Sequence, residues 1–90
     1  MVNYKVVYTK NAAKDISNLK AANLSNKAQN LIELIKENQF QNPPPYEKLL
    51  GNLSGLYSRR INIQHRLVYE VLKDIKTVKI ISMWSHYENI

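Results

Sequence analysis

All three arginines of the 90-residue chain lie within eight positions, at Arg59, Arg60 and Arg66, whereas its other basic residues are lysines. A planar guanidinium can donate two parallel hydrogen bonds to a phosphate, which the ammonium group of lysine cannot do. Grouped arginines therefore favour a phosphate-binding site over general surface charge. The structural alternative is surface salt bridges with acids such as Glu70 and Asp74, and the residue types alone leave the two interpretations even.

A carboxylate and an imidazole extend this set to groups that could cleave RNA without a metal ion. Glu47 is the last acid before Glu70, so it borders a basic stretch, and His86 lies in the terminal WSHYENI. A carboxylate could remove the 2′-hydroxyl proton, an arginine could neutralise the phosphorane, and a histidinium could protonate the leaving 5′-oxygen. Each group alone is a weak signal, since a histidine near a terminus is more often simply exposed.

The sequence offers no ligand set for a metal or a cofactor. His65 and His86 are its only histidines, they are far apart, and cysteine is absent. Zinc sites need three or four such ligands at suitable spacing. We therefore expect a site without metal or cofactor, in a chain that disulfides do not stabilise.

Composition and charge predict one small basic domain, residues 1–90, with a polyanionic partner. The net charge is +6, and 44% of the residues are hydrophobic, enough for one modest core. No apolar run has the length of a membrane span, so we expect no membrane association and a cytoplasmic location. A basic protein of this size most often binds nucleic acid, although solubility alone is the simpler alternative.

The elements that must position these residues can be read from hydrophobic spacing. Alternation over residues 2–9 predicts a strand, and two segments of helical period follow. Thr9 or Asn11 could cap the first helix, while Asn23 and Ser25 offer a break and a second cap. The apolar positions of the two helices are Ala12, Ile16 and Leu19, then Leu24, Ala28, Leu31, Ile32 and Ile35.

The second half of the chain is predicted to form a loop and then three strands. All three prolines and both glycines lie in residues 38–55, which indicates a surface loop. Strands at 56–63, 66–72 and 77–84 complete a β-α-α-β-β-β order. This order predicts an α+β fold, an antiparallel sheet covered on one face by a helical hairpin. Alternation directs Leu67 and Tyr69 to the helices, and Arg60 and Arg66 to the open face.

These residues resemble a known toxin family. YEKLLGNLSGLYSRRINIQHRLVYEV, followed by a terminal HY, is similar to the Txe/YoeB toxins of the RelE superfamily. The resemblance covers nearly the whole chain, and its specific part is NLSGLYSRRINIQHRLVY. It implies a RelE-like α+β fold and a ribosome-dependent mRNA endonuclease, or mRNA interferase, that inhibits translation. The implied partners are a YefM-type antitoxin, the 70S ribosome and mRNA. Whether the toxin also forms a homodimer is left undecided.

The resemblance also assigns roles to individual residues. It places the general base on Glu47, the catalytic arginine on Arg66, and the remaining catalytic groups on His86 and Tyr87. Arg60 matches an arginine of the family's substrate-facing strand. Arg59 and Lys48 are further expected substrate-binding residues because of their charge, although the place of Arg59 in the strand alternation fits packing or an antitoxin contact better. His65 belongs to the hairpin of the motif and is interpreted as structural.

Two positions depart from the family pattern. Leu50 stands where relatives commonly have a basic residue, so one phosphate contact is missing. The chain also continues past HY with Glu88, Asn89 and Ile90, which leaves the role of Tyr87 open.

Three alternatives remain. A ParE-like toxin would share the fold but lack the acid–base set. An RNA-binding module could stack bases on Tyr57, Tyr69 or Trp84. An inactive remnant could serve only in operon autoregulation.

Overall fold

The computed structural model describes residues 3–42, 45–62 and 65–84. Its helices and strands follow the chain as β1 (Lys5–Tyr8), α1 (Lys10–Ala21), α2 (Ser25–Glu37), β2 (Tyr46–Lys48), β3 (Leu56–Arg60), β4 (Arg66–Leu72) and β5 (Thr77–Ser82). Short 3₁₀ turns occupy Gly51–Leu53 and Lys73–Ile75. The strands of the described segments form one five-stranded sheet in the order β1-β5-β4-β3-β2. The predicted α+β class with two helices before the main strands is confirmed.

The sheet differs from the prediction in two respects. It is mixed, because β1 runs parallel to β5 while the other neighbouring strands are antiparallel. The two helices between β1 and the rest of the sheet form a long connection, and such a connection permits parallel pairing. In addition, residues 46–48 form a strand where a loop was predicted. This short segment becomes a strand only through its pairing with β3.

Helix α1 begins at a side-chain cap that also joins it to the sheet. The Oγ1 of Thr9 accepts from the backbone N–H of Ala12 at 3.1 Å and donates to the carbonyl of Ile81 at 2.8 Å. Of the two predicted capping residues, Thr9 therefore has this role. The helix ends before Asn23, whose φ of 60° is left-handed, a conformation that asparagine tolerates.

The start of helix α2 differs from the prediction. The break at Asn23 is confirmed, but Ser25 is the first helical residue and no side chain caps this end. At the other end Gln39 acts as a cap. Its Nε2 donates to the carbonyls of Ile35 at 2.7 Å and Lys36 at 3.2 Å, two of the acceptors that a helix terminus leaves free.

The core lies between the helices and one face of the sheet. Both helices contribute small and aliphatic residues, and β4 and β5 contribute residues from one face; its buried members include Ala12, Leu19, Ala28, Ile32, Ile35, Leu67, Tyr69, Val78 and Ile80. The opposite sheet face is less open than predicted. Val68 is 0% exposed there and Ser58 only 2%, so the centre of this face is covered.

In the described part of the chain, neither helix has the length and apolar character that a bilayer span needs.

Candidate active site

An open cleft of about 550 Å³ lies where β2, β3 and the start of β4 meet. Its polar lining comes from Glu47 on β2, Ser58 and Arg60 on β3, Asn62 just after β3, and Arg66 at the start of β4. Glu47 and Arg66, which are nineteen positions apart in the sequence, thus line one concave surface. The structure therefore brings Glu47, Arg60 and Arg66 together.

Strand register explains why these side chains share the cleft. Glu47 pairs with Ser58 across β2 and β3, and Arg60 pairs with Arg66 across β3 and β4. Directly paired residues project to the same face, and so do residues two positions apart in one strand. All four side chains therefore lie on the sheet face opposite the helices.

Among the described residues, the two arginines of the cleft have no carboxylate as an ion-pair partner. Like charges that face each other across two strands destabilise a sheet. The one ion pair found among the described residues lies on α2, so neither Glu70 nor Asp74 neutralises Arg60 or Arg66. The Nε of Arg66 is also buried without a hydrogen-bond partner. Within the described part of the chain, this removes the predicted salt bridges with Glu70 and Asp74 as the explanation of these two arginines.

The assignment of Arg59 to substrate binding is wrong. Its side chain is 1% exposed, because it pairs with Leu67 and shares the helix-facing side of the sheet. The Nε donates to the Oη of Tyr69 and the Nη2 to the carbonyl of Gln39, each at 3.2 Å. The guanidinium also lies 5.1 Å from the ring centroid of Tyr46. Arg59 is a packing residue beneath the cleft.

Tyr69 completes this buried network and is not a base-stacking surface. Its Oη donates to the carbonyl of Gln39 at 3.0 Å, and its ring stacks on Tyr57 at 5.8 Å. Burial raises the pKa of the Tyr69 phenol, and the charge of Arg59 offsets part of the rise. Because Tyr69 is 0% exposed, it cannot stack a base in this fold, which weakens the RNA-binding-module alternative.

Lys48 is not among the residues that line the cleft. It follows Glu47 directly in β2 and pairs with Tyr57, so it projects from the other face of the strand. The side chain is exposed. Any contact that it makes with a large ligand lies beside the cleft.

His86 and Tyr87 lie outside the described residues. The last described residue, Trp84, stacks on His65 with ring centroids 4.0 Å apart and planes at 14°. His65 directly precedes Arg66 in the chain. Trp84, two residues before His86 in the sequence, therefore lies against the residue that precedes Arg66.

His65 is part of the β3–β4 hairpin, as its structural interpretation predicted. Its backbone N–H donates to the Oδ1 of Asn62 at 2.7 Å, and its carbonyl accepts from the N–H of Ile61 at 2.9 Å. Its ring contributes to the stack with Trp84.

Sequence analysis missed two polar residues of the cleft, Ser58 and Asn62. Ser58 is two positions before Arg60 in the same strand, so alternation could have placed it on the same face. The hydroxyl of Ser58 is buried and has no hydrogen-bond partner. Among the described residues, no three or more His, Cys, Asp or Glu side chains are grouped as metal ligands.

Comparison with known proteins decides the family. Residues 8–87 match the profile described as "YoeB-like toxin of bacterial type II toxin-antitoxin system". The chain belongs to this family. The resemblance to the Txe/YoeB toxins that the motif suggested is thereby confirmed.

Individual relatives agree with this assignment. Toxin YoeB of Synechocystis is 43% identical over 58 residues, which cover 64% of this chain and 65% of that protein, just under two thirds of its length. A YoeB/ParE toxin structure from Agrobacterium tumefaciens has a TM-score of 0.84 at 30% identity and covers 92% of this chain and 99% of that chain.

YoeB of Staphylococcus aureus is a further structural relative. It has been solved in a complex with YefM, with 34% identity, a TM-score of 0.79 and coverage of 93% of this chain and 98% of that chain. It has also been solved as a dimer, with 34% identity, a TM-score of 0.80 and coverage of 94% and 99%.

Proposed function

We propose that this YoeB-type toxin is a ribosome-dependent mRNA endonuclease that inhibits translation. The observation that carries the proposal is the cleft in which the Glu47 carboxylate lies with the facing guanidinium groups of Arg60 and Arg66. A base beside two phosphate-binding groups, with no ion pair to them among the described residues, suits the transesterification of RNA. Membership of the YoeB-like toxins supports the same activity.

Each group has a defined part in the reaction. The carboxylate of Glu47 takes the proton of the 2′-hydroxyl, and the 2′-oxygen forms a bond to phosphorus. Arg66, assisted by Arg60, stabilises the charge on the equatorial oxygens of the phosphorane. The bond from phosphorus to the 5′-oxygen then breaks, and His86 donates a proton to that oxygen. Tyr87 is the second candidate for this proton donor.

This chemistry determines the product ends. Attack by the 2′-oxygen gives a 2′,3′-cyclic phosphate, or a 3′-phosphate after hydrolysis, and a 5′-hydroxyl on the other fragment. The protons move through side chains, so cleavage on intact ribosomes should survive chelation by EDTA. A 5′-phosphate product would require attack by water and would exclude this mechanism.

The charge of the molecule supports the ribosome as the place of reaction. A net charge of +6 favours binding to ribosomal RNA. The cleft is open on one side, as it must be to receive an mRNA strand that the ribosome holds. Exposed Lys48, beside the cleft, is the candidate for such a peripheral contact.

We further propose a YefM-type antitoxin as the regulatory partner, because a relative with 34% identity has been solved in a YoeB–YefM complex. An acidic segment of the antitoxin would place carboxylates near Arg60 and Arg66, where RNA phosphates would otherwise lie. The segment would order on binding, with an entropic cost that burial and charge pairing offset. A homodimer of the free toxin is the second proposed assembly, as for the dimeric relative.

Expression without an antitoxin tests the proposal. Pulse labelling after induction should show protein synthesis stopping first, because the toxin depletes translatable message. If DNA synthesis stops first while protein synthesis continues, the protein acts as a ParE-like topoisomerase toxin instead.

A further inference from the structure

We propose that the buried Arg59 is a positioning residue that holds Glu47 in the cleft through the neighbouring Tyr46, an inference that rests on the proposed nuclease function. Glu47 is carried by β2, which has only three residues and pairs with β3 alone at the edge of the sheet. A strand this short is stabilised only weakly by its backbone hydrogen bonds to β3, so side-chain contacts must help to hold it in position.

Arg59 supplies that support from the helix-facing side. It pairs directly with Tyr46 across β2 and β3, and its guanidinium lies 5.1 Å from the centroid of the Tyr46 ring. A cation that lies over the face of an aromatic ring is attracted to the ring, and the attraction is stronger where water is excluded. The Tyr46 ring also packs against the rings of Phe40 and Tyr57, with centroid distances of 5.8 Å and 5.9 Å.

The guanidinium itself is fixed from the opposite direction. It donates to the Oη of Tyr69 in β4 and to the carbonyl of Gln39, and Tyr69 donates to the same carbonyl. Gln39 in turn caps the end of α2. Arg59 thus contacts residues on both sides of the proline segment, Gln39 before it and Tyr46 after it, and links the α2 terminus to β2.

Strand alternation transmits this restraint to the cleft. Tyr46 and Glu47 are consecutive in β2, so holding the Tyr46 ring beneath the sheet directs the Glu47 carboxylate to the opposite face. A general base must lie within hydrogen-bonding distance of the proton that it removes, and small displacements reduce the rate strongly. Arg59 never touches the RNA in this arrangement, and its effect on cleavage passes through Glu47.

Arg59→Lys is the primary test, because it keeps the charge but removes the guanidinium fork. On programmed ribosomes the single-turnover cleavage rate should fall about tenfold or more, as expected for a displaced base. Ribosome affinity should stay within about twofold, because the net charge is unchanged. In a Glu47→Gln background, Arg59→Lys should change the rate less than about twofold, since the two residues act as one unit. Unchanged cleavage, or additive losses in the double variant, would overturn the proposal.

Amide hydrogen exchange gives a readout that does not depend on cleavage. The N–H of Leu49, just after β2, donates to the carbonyl of Leu56 at 3.0 Å. In Arg59→Lys, and in Tyr69→Phe as a milder second variant, its exchange should accelerate about tenfold relative to amides of β4 and β5. Ala12→Gly in α1 is the control for general destabilisation and should leave that ratio unchanged.

The two kinds of measurement separate this inference from the proposed function. If the wild-type toxin does not cleave RNA on ribosomes, the nuclease proposal fails, and Leu49 exchange still decides whether Arg59 holds β2. If Leu49 exchange is unaltered in both variants while the wild type cleaves, the nuclease proposal stands and the positioning role is refuted.

Discussion

At the scale of single residues, the facing pair of Arg60 and Arg66 is the feature most specific to function. Two guanidinium groups directly opposite each other repel, and no described acid neutralises them. A phosphate between them would relieve that repulsion with charge-assisted hydrogen bonds. Among the described residues, Glu47 is the carboxylate that lines the same cleft, and it is the proposed base.

Substitution of the proposed catalytic groups should separate binding from chemistry. Glu47→Gln, Arg66→Ala and His86→Gln should each lower single-turnover cleavage by about two or more orders of magnitude, with ribosome binding nearly intact. The losses should not add, because the groups act in one transition state. Lys14→Ala, on the exposed side of α1, is the charge control for Arg66→Ala and should cleave normally. A wild-type rate for His86→Gln would transfer the general acid to Tyr87 or to the ribosome.

Because the phenol of Tyr69 is buried, we expect the protein to lose stability at alkaline pH. Burial raises its pKa above the ordinary value of 10.0, so above that pH the folded protein retains a proton that the unfolded chain releases. This contribution to the free energy of unfolding is complete below about pH 10 and declines as the pH rises through the folded pKa. Tyr69→Phe cannot ionise and should show a shallower alkaline decline in urea-unfolding midpoints. Equal slopes for both proteins would contradict the assignment.

At the scale of elements, Thr9 connects three parts of the fold. Its hydroxyl caps α1 and bonds to Ile81 in β5, while the residue itself follows β1 directly. One side chain thus fixes the start of the helical hairpin against the parallel β1–β5 pair. The sheet that carries the cleft is held to the helices through this junction.

Removal of this cap should destabilise the whole domain. Thr9→Ala is expected to reduce the free energy of unfolding by about 0.5–2 kcal/mol, the usual range for a lost N-cap. Chemical denaturation with unchanged m-value would measure it. Asn11→Ala, in the first turn of α1 and without that cap role, should cost much less. A comparable loss in both variants would contradict the special role of the Thr9 cap.

At the scale of the whole molecule, the positive charge should govern the encounter with the ribosome. A protein of net charge +6 displaces counterions from RNA, so the logarithm of its binding constant should fall linearly with the logarithm of salt concentration. Lys48→Ala should reduce the slope by about one, the change expected for one lost phosphate contact, and leave cleavage measurable at saturation. Binding measured from low to moderate salt tests this, and an affinity that stays flat would contradict it.

The sequence by itself determined the parts that depend on local pattern. Helical spacing placed both helices, and alternation in β3 and β4 sent Tyr69 inward and Arg60 and Arg66 outward. These predictions succeeded because a side chain's direction in a regular element follows from its position in that element alone. The motif around residues 52–69 then led to the family, which the profile match confirmed.

Only the tertiary structure decided which distant segments meet. The parallel pairing of β1 with β5 joins residues about seventy positions apart, and local pattern carries no information on strand direction. The strand of residues 46–48 exists because β3 pairs with it, and that pairing brings Glu47 to the arginines. Arg59 was expected to bind RNA because of its charge, although its place in the strand alternation favoured packing. Inside the fold it donates to Gln39 and Tyr69, twenty and ten positions away.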